Sequence, residues 1–477
     1  MEFATIHKKT ILEMFSKEIY TKRRELLRER VSRGGIILLP GNSDPSRNYP
    51  DNCYHFRQDS TFLYFFGLQN PDMVGLLDIE AGEDWLFGDD LSMDDIIWTG
   101  PQPTVKELGQ RCGISHTAPL AVLQEKLNMA IKRGRHIHFL PPYRGDNKLK
   151  LCRWLGLSAD MLADRISIEL AIAVVSLRDK KSPEEIREIE DACEIGYIMH
   201  TTAMKMCRPG AKEREIAGAI EGIALQMGEG VSFTSIVSQH GETLHNHNYD
   251  GILESGRMLL VDAGAENVMN YCSDFTRTYP VNGRFSPMQR DIYNIVLAAN
   301  THAFELAKPG MLYKDVHLAS VKVIVEGLIS LGLVKGNADD AVANGVNALF
   351  MPHGLGHLMG LDVHDMEDIG EKYVGYDLET ERSSQLGVSN LRMARRLQVG
   401  MVMTDEPGIY FIPAYIAKWK AEGINRDFIN FDKLEPYMNF GGIRIEDDLL
   451  ITETGNRILG KRRIPVTIDE IENFMAE

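Results

Sequence analysis

The chain has 477 residues, of which 44% are hydrophobic and 25% are charged, and these values are typical of a globular protein with more than one domain. Its formal net charge of −16 disfavours nucleic acid and anionic membrane surfaces as partners, because both attract clustered lysine and arginine. The six cysteines include no C-x-x-C pair, which favours reduced thiols over a zinc finger or a disulfide scaffold.

Neither a targeting segment nor a membrane span is predicted. Residues 1–30 carry charges throughout and lack the apolar core of a secretory signal peptide. No apolar run approaches the roughly eighteen residues that a membrane-spanning helix needs. We therefore expect a cytoplasmic protein that binds neither membrane nor nucleic acid.

The clearest domain boundary lies just before a strong helix start at 182–185. A serine N-cap, a proline at the first helical position and a glutamate that can close a capping box follow a charged stretch there. Upstream, the apolar runs 36–39 and 73–77 predict strands between helical segments. We expect residues 1–177 to form an α/β domain and residues 178–477 to form a second domain.

The second domain contains an internal duplication. A long helix, a Pro-Gly break and a second helix are predicted over 182–228 and again over 286–332. Helix pairs alone could look alike by chance, but each pair is followed by a histidine-bearing segment and then by strands with acidic residues. This shared order predicts two α+β halves that face each other across a pseudo-two-fold axis, with a site between them.

Acidic residues mark two neighbouring predicted strands of the first half. Asp262 follows the apolar run 258–261, and Asp274 lies in the next candidate strand, 271–277. A buried acid is costly unless it is paired, hydrogen-bonded or bound to a metal. Either aspartate alone could be a turn or cap residue, but two on one hairpin favour a shared set of ligands.

The second half repeats this arrangement in the apolar runs 401–408 and 442–450. Glu406 ends the first run, and strand alternation puts Arg444 and Glu446 on one face of the second. An edge strand protected by inward-pointing charges is the alternative interpretation.

Three histidines, interleaved with glycines, lie between the acidic strands: His353, His357 and His364. Glycine permits close backbone approach and unusual φ angles. A lone buried histidine is most often a core residue with its hydrogen bonds satisfied. Three in so short a segment, together with His245, favour a functional site.

The type of ligand predicts the chemistry. Four carboxylates and one imidazole form a hard, oxygen-rich set, which suits Mn²⁺ or a similar divalent ion better than structural zinc. So many carboxylates around one metal would leave surplus negative charge, whereas two metals about 3.5–4 Å apart with two bridging carboxylates balance it. Water between two such ions loses a proton near neutral pH and becomes a nucleophile.

Five motifs occur in order along the chain: VDAG, SDFTRTYP, PHGLGHLMGLDVHD, TDEPGIYF and GIRIEDD. Together they resemble the pita-bread metallopeptidases, specifically the proline-directed branch of Xaa-Pro aminopeptidases (aminopeptidase P) and Xaa-Pro dipeptidases (prolidases). Residues 54–67 are similar to the start of the N-terminal domain of these enzymes, so the resemblance covers nearly the whole chain. It implies an α/β N-terminal domain and an α+β pita-bread catalytic domain with internal pseudo-two-fold duplication.

The resemblance also implies a complete set of metal ligands: Asp262, Asp274, His357, Glu406 and Glu446. Two divalent ions, expected to be Mn²⁺, would be bridged by Asp274 and Glu446. Glu406 would in addition handle the proton of the bridging water. Asp405 stands where the family has an apolar residue, but strand alternation still favours Glu406 as the inward side chain.

Four further residues receive roles from the resemblance. His245 and His364 would act beside the scissile carbonyl, where they would stabilise the tetrahedral intermediate or pass protons to the leaving proline nitrogen. His353 would line the proline pocket. Arg444 would support the site or meet a substrate carboxylate.

The expected activity is that of a manganese-dependent Xaa-Pro aminopeptidase acting on peptides with proline in second position. A prolidase is the alternative, and the polar insertions 366–398 and 412–438 resemble those of eukaryotic-type prolidases. A non-catalytic pita-bread module that binds peptides is a remote alternative, because all the candidate ligands are present. By family habit the protein is expected to be a homodimer.

Overall fold

In the computed structural model, which describes residues 14–477, the chain divides into two compact units. The first unit comprises the residues up to Arg178 together with Met366–Tyr373, and the second comprises Asp179–Asp365 and Val374–Glu477. Residues 1–13 lie outside the described residues. They form the first part of the segment in which no signal peptide is predicted. None of the helices within residues 14–477 has the length and apolar character that a membrane span requires.

The strands up to Arg178 are β1 Ile36–Pro40, β2 Ser46–Tyr49, β3 Asn52–Cys53, β4 Val74–Asp78, β5 Glu83–Phe87, β6 His116–Ala118 and β7 Ile137–His138. The helices are α1 Lys17–Arg30, α2 Ser60–Phe66, α3 Met93–Thr99, α4 Val105–Arg111, α5 Leu120–Lys132, α6 Gly145–Leu155, α7 Ala159–Ala163 and α8 Ile168–Arg178.

A mixed five-stranded sheet in the order β6-β5-β4-β1-β7 forms the centre of the first unit. β1 is antiparallel to β4 and parallel to β7, with Leu38 opposite Leu76. Both leucines belong to an apolar core that also includes Phe87 and Leu123. The predictions of strands at 36–39 and 73–77 and of an α/β architecture are confirmed.

The strands after Arg178 are β8 Gly230–Val231, β9 Ile236–Ser238, β10 Met258–Ala263, β11 Ala265–Glu266, β12 Phe275–Pro280, β13 Val402–Asp405, β14 Gly408–Tyr410, β15 Gly442–Arg444, β16 Asp447–Ile451 and β17 Asn456–Ile458. The helices are α9 Pro183–Met206, α10 Glu213–Met227, α11 Pro287–Leu306, α12 Tyr313–Ser330, α13 Ala338–Ala343, α14 Glu371–Val374, α15 Pro413–Glu422 and α16 Ile468–Ala476. Short 3-10 helices occupy Val346–Leu349, Glu367–Ile369 and Phe431–Tyr437.

The predicted duplication is present in the helices of the second unit. α9 follows the N-cap Ser182, which forms a capping box with Glu185, and α11 follows the N-cap Ser286, which forms the same box with Gln289. A proline begins each helix, in keeping with the preference of this residue for the first turn. α9 packs on α10, and α11 packs on α12.

Each helix pair is followed by antiparallel strands. In both halves the strand pairing changes from one partner strand to another close to an acidic residue. β12, β10 and β9 form one antiparallel sheet, and β13, β16 and β17 form another. The apolar run 442–450 forms two strands instead of one, because β15 pairs with β14 whereas β16 pairs with β13. Glu446 lies at this break, and Glu406 lies between β13 and β14.

Candidate metal centre

The two aspartates of the first half lie on one face of the β10–β12 pair. Asp262 in β10 is opposite Thr276 in β12, and Asp274 immediately precedes β12. Side chains two residues apart on a strand point to the same face, so Asp274 and Thr276 point the same way. All three side chains are buried.

Thr276 also joins the two halves of the second unit. Its carbonyl oxygen accepts a hydrogen bond from the Glu446 backbone N–H at 3.0 Å, and its Oγ1 donates to Glu446 Oε2 at 2.6 Å. The break between β15 and β16 therefore lets Glu446 pair with the strand that follows Asp274. A carboxylate from the second half is held in this way beside the aspartates of the first half.

His357 is brought to the same place by a segment that runs beside β13. The Thr404 N–H donates to the His357 carbonyl at 3.0 Å, and the Glu406 N–H donates to the Leu355 carbonyl at 2.9 Å. A Cβ at Gly356 would lie 2.1 Å from the Thr404 carbonyl oxygen, so only glycine permits this approach. The glycine between Leu355 and His357 thus has a packing requirement that fixes the position of the histidine.

The ring of His357 has the orientation expected of a metal ligand. Its Nδ1 lies 3.1 Å from the Leu358 carbonyl oxygen, to which it donates. The other ring nitrogen, Nε2, faces Asp274 Oδ2 at 3.4 Å. A carbonyl partner on the other ring nitrogen is the usual way of orienting a metal-bound histidine.

Asp274, His357 and Glu446 each offer a ligand atom, and these atoms all lie within 4.8 Å of one another. Burial raises the pKa of Asp274 well above its usual range, and the negative charges of Asp262, Asp448 and Glu406 raise it further. Burial likewise raises the pKa of Glu406 and of Glu446, and Asp274 is among the charges that raise the latter. This concentration of buried carboxylates is unfavourable by itself and fits bound cations.

Two oxygen atoms of the cluster also lack protein partners. Asp262 Oδ1 and Asp274 Oδ1 are buried without a hydrogen bond within residues 14–477. Buried polar atoms are rarely left in this state unless an ion or water completes their coordination. The predicted ligands of both halves therefore present a donor set that fits divalent metal.

Arg444 is buried beside the cluster, and all three of its guanidinium nitrogens donate hydrogen bonds to residues of the site. Nη2 donates to Asp262 Oδ2 at 2.5 Å, Nε to Thr276 Oγ1 at 3.1 Å, and Nη1 to the Tyr410 hydroxyl at 2.7 Å. The guanidinium thus orients one oxygen of Asp262 while leaving the other unpaired. These contacts are those of a group that supports the site.

His353 lies at the edge of the cluster, half-buried. Its Nε2 is 2.8 Å from the Tyr410 hydroxyl, its Nδ1 is 2.7 Å from the Gly354 carbonyl oxygen, and Nδ1 is 3.7 Å from Glu406 Oε2. Burial and then the positive charge of Arg444 lower the pKa of His353 to about 3. The ring is therefore neutral at physiological pH.

The remaining two predicted histidines lie on loops. The His364 ring stacks on the His357 ring, with centroids 3.7 Å apart and planes 12° apart. His245 is exposed, on the segment between β9 and β10. Its pKa is lowered by partial burial and then by the charge of Arg444, whereas Asp262 acts in the opposite direction.

Three residues of the site were not assigned from the sequence. Thr276 could have been found, because alternation from Asp274 puts it on the same face. Alternation along 442–450 likewise puts Asp448 on the face of Arg444 and Glu446, although its partner could not be predicted. Tyr410 was missed because its role depends on contacts with distant residues. The Asp448 Oδ2 accepts a hydrogen bond from the backbone N–H of Asp274 at 3.0 Å, so a second-half carboxylate holds the chain at a first-half ligand.

Asp405 differs from its neighbour Glu406 in its surroundings. It is paired in register with Asp447, and its backbone carbonyl accepts a hydrogen bond from Asn300. Neither of its carboxylate oxygens has a hydrogen-bond partner within the described residues. Burial raises its pKa well above the usual range. Among charged groups, Asp447 and Arg463 affect this pKa most, ahead of the predicted ligand Glu406.

Comparisons with known proteins agree over nearly the whole chain. The Xaa-Pro dipeptidase of Homo sapiens is 30% identical over 476 residues, covering 96% of this chain and 93% of the relative. The Xaa-Pro aminopeptidase of Escherichia coli K12 is 31% identical over 474 residues, which cover 97% of this chain and 98% of the relative. Among solved structures, Pseudomonas aeruginosa aminopeptidase PepP matches with a TM-score of 0.79 at 29% identity, covering 98% of this chain and 99% of that one.

The family models agree with these matches and with the two-part architecture. Residues 20–138 match the aminopeptidase P N-terminal domain, and residues 187–453 match metallopeptidase family M24. Proline aminopeptidase P II from Yersinia pestis matches with a TM-score of 0.80 at 29% identity, and the match covers 97% of this chain and 100% of that structure. The chain belongs to metallopeptidase family M24 and combines the catalytic domain of that family with an aminopeptidase P N-terminal domain.

Proposed function

We propose that this protein is a dinuclear-metal exopeptidase that hydrolyses the bond between an N-terminal residue and a following proline. The observation that carries the proposal is the convergence of Asp274, His357 and Glu446 within 4.8 Å, with unpaired buried oxygens on Asp262 and Asp274. Relatives that cover this chain almost completely bear the names Xaa-Pro aminopeptidase and Xaa-Pro dipeptidase.

The residues that would hold two divalent ions are Asp262, Asp274, His357, Glu406 and Glu446. Asp274 and Glu446 are proposed to bridge the ions. When bound, such ions would activate a water molecule and polarise the scissile carbonyl. The preference for oxygen ligands favours Mn²⁺, although Escherichia coli aminopeptidase P has been solved in a zinc-substituted form with product.

The protein groups around the ligands would carry the proton transfers. Glu406 would accept the proton of the attacking water, and its Oε2 lies 3.7 Å from the neutral ring of His353. His364 and His245 would face the scissile carbonyl, stabilise the negative charge that develops on its oxygen and return a proton to the proline nitrogen.

Substrate recognition would depend on the proline ring. His353, held by Tyr410 and the Gly354 carbonyl, would provide the flat surface against which the ring packs. A peptide bond to proline has no N–H, and a pocket shaped for the ring would turn this feature into selectivity. Arg444 would hold Asp262 in place or meet a carboxylate of the substrate.

The choice between aminopeptidase and dipeptidase can be tested with two peptides. With Mn²⁺ present, we expect turnover of Gly-Pro-Pro as well as Gly-Pro. Turnover of Gly-Pro alone would overturn the aminopeptidase assignment in favour of a prolidase, which is the second candidate because a human Xaa-Pro dipeptidase is among the relatives. A folded protein that binds no Mn²⁺, Co²⁺ or Zn²⁺ and cleaves neither peptide would instead be a binding module.

Three further properties belong to the same proposal. The domains would be residues 1–177 and 178–477. The protein would act in the cytoplasm on peptides with proline in second position. It would form a homodimer, and light scattering after size-exclusion chromatography would measure its mass.

A further inference from the structure

We propose that Glu213 is a positioning residue for His245, because its carboxylate fixes both ends of the loop that carries this histidine. The inference rests on the proposed catalytic role of His245. The loop, residues 239–251, contains no helix or strand. His245 is six residues from either end of it.

Glu213 holds the two ends of the loop with its two carboxylate oxygens. Oε1 accepts the N–H of Gln239 at 2.8 Å, and Oε2 accepts the N–H of Gly251 at 3.1 Å. The Glu213 backbone N–H donates to the Gly251 carbonyl at 3.0 Å. Glu213 is only 2% exposed, and the hydrogen bonds that a carboxylate accepts from backbone N–H groups are of the stronger, charge-assisted kind.

The backbone at Gly251 is suited to this contact. A Cβ at that position would lie 2.5 Å from the carboxyl carbon of Glu213, which no real contact permits. Glycine therefore allows the loop end to approach the carboxylate directly. Because Glu213 begins α10, the loop ends are attached to a helix that packs on α9.

Further bonds carry the restraint from the ends of the loop towards its middle. Ser238 Oγ accepts both the N–H of His240 at 3.0 Å and the side-chain amide of Asn246 at 2.9 Å. Asn246 is the residue next to His245. A loop without regular secondary structure can hold a side chain in a reactive position only when its ends and interior are tied in this way.

The test is a double-mutant cycle between Glu213 and His245. Glu213→Ala should lower kcat on Gly-Pro-Pro by about 10- to 100-fold, the usual effect of a small misplacement of a catalytic group, while the purified enzyme keeps its full metal content. In a His245→Ala background the same substitution should have almost no further effect on kcat, because the group that Glu213 positions is gone.

Two companion variants and one direct measurement complete the design. Glu213→Gln keeps one acceptor oxygen and should recover part of the lost kcat. Glu215→Ala removes an exposed capping carboxylate from the same helix turn and should leave kcat unchanged. Hydrogen exchange at the Gln239 and Gly251 amides should be faster in Glu213→Ala than in either the native protein or Glu215→Ala.

Two outcomes would overturn the proposal and identify the step that fails. If His245→Ala is impaired and Glu213→Ala lowers kcat in that background by the same factor as in the native enzyme, Glu213 does not act through His245, and the proposed function stands. If His245→Ala turns over at the native rate, the catalytic role of His245 is wrong, and the role of Glu213 falls with it. Should Glu213→Ala fail to fold, the same cycle is measured with Glu213→Gln.

Discussion

The central sheet of the first unit and the strands of the second unit bury different chemistry. In β1 and β4 the buried side chains are apolar, with Leu38 and Leu76 facing each other across the pair. β10, β13 and β16 are also buried, yet they carry Asp262, Asp405 and Asp448. Burying a carboxylate opposes folding unless it is paired or metal-bound. The apolar strands β1 and β4 therefore contribute to the free energy of unfolding. The buried acids of β10, β13 and β16 lower it, and the second unit accepts this cost where it forms the site.

The largest effect that this comparison predicts is that of Asp274→Ala. Activity should fall by roughly 10⁴-fold or more, the loss typical of removing one member of a catalytic unit, because Asp274 is proposed to contact both ions. The stability of the metal-free protein should hold or rise, since one of several buried like charges is removed. Peptidase assays, metal analysis and thermal unfolding would measure these effects, with the exposed Asp291→Ala as the control. Near-native turnover by Asp274→Ala would refute the bridging assignment.

His364→Ala should have the next largest effect and should separate catalysis from metal binding. We expect kcat to fall by about 10²- to 10⁴-fold, the range for loss of a general acid or base, with metal content unchanged. His302 on α11 offers a matched control, because its ring lies outside the cluster of ligands. Loss of metal from His364→Ala, measured by elemental analysis, would make this residue a ligand instead.

Leu76→Ala should produce the opposite pattern in the apolar sheet. Removing this fully buried side chain from β4 should lower the free energy of unfolding by about 2–5 kcal/mol, with kcat and metal content of the folded protein unchanged. Denaturant unfolding followed by steady-state kinetics would test both parts. A loss of kcat at full folding would show that the apolar sheet contributes to the chemistry as well.

Tyr410→Phe should have the smallest effect of the four. It removes the hydroxyl shared by Arg444 and His353 but keeps the ring. Leaving a buried donor of Arg444 without its partner costs about 1–3 kcal/mol, so kcat/KM should fall by roughly 5- to 150-fold, chiefly through KM for proline-containing peptides. An unchanged KM together with lost metal would indicate that Tyr410 acts on the ligands and not on the pocket.

The sequence predicted local features well because they depend on neighbouring residues. The capping box at Ser182 and Glu185 and the apolar runs of β1 and β4 are encoded within a few positions. The convergence of Asp274, His357 and Glu446 was predicted by the resemblance to a family, since no spacing along the chain implies it.

Contacts between distant residues account for what was missed. The apolar run 442–450 gives no sign of dividing at Glu446, because the division depends on β13 and β14 as alternative pairing partners. The bond from Asp274 to Asp448 joins residues 174 positions apart. The carboxylate of Glu213 looks like an ordinary first-turn acid of a helix until the loop ends are seen to meet it.

The link between Thr276 and Glu446 has a consequence for when the proposed metal site can form. During synthesis on the ribosome, Asp262 and Asp274 are made long before Glu446, so the growing chain offers only part of the donor set. The cluster is complete only after Glu446 has emerged and paired with the Thr276 backbone. We therefore expect metal to bind late in biogenesis, after the two halves of the second unit have paired through Thr276 and Glu446.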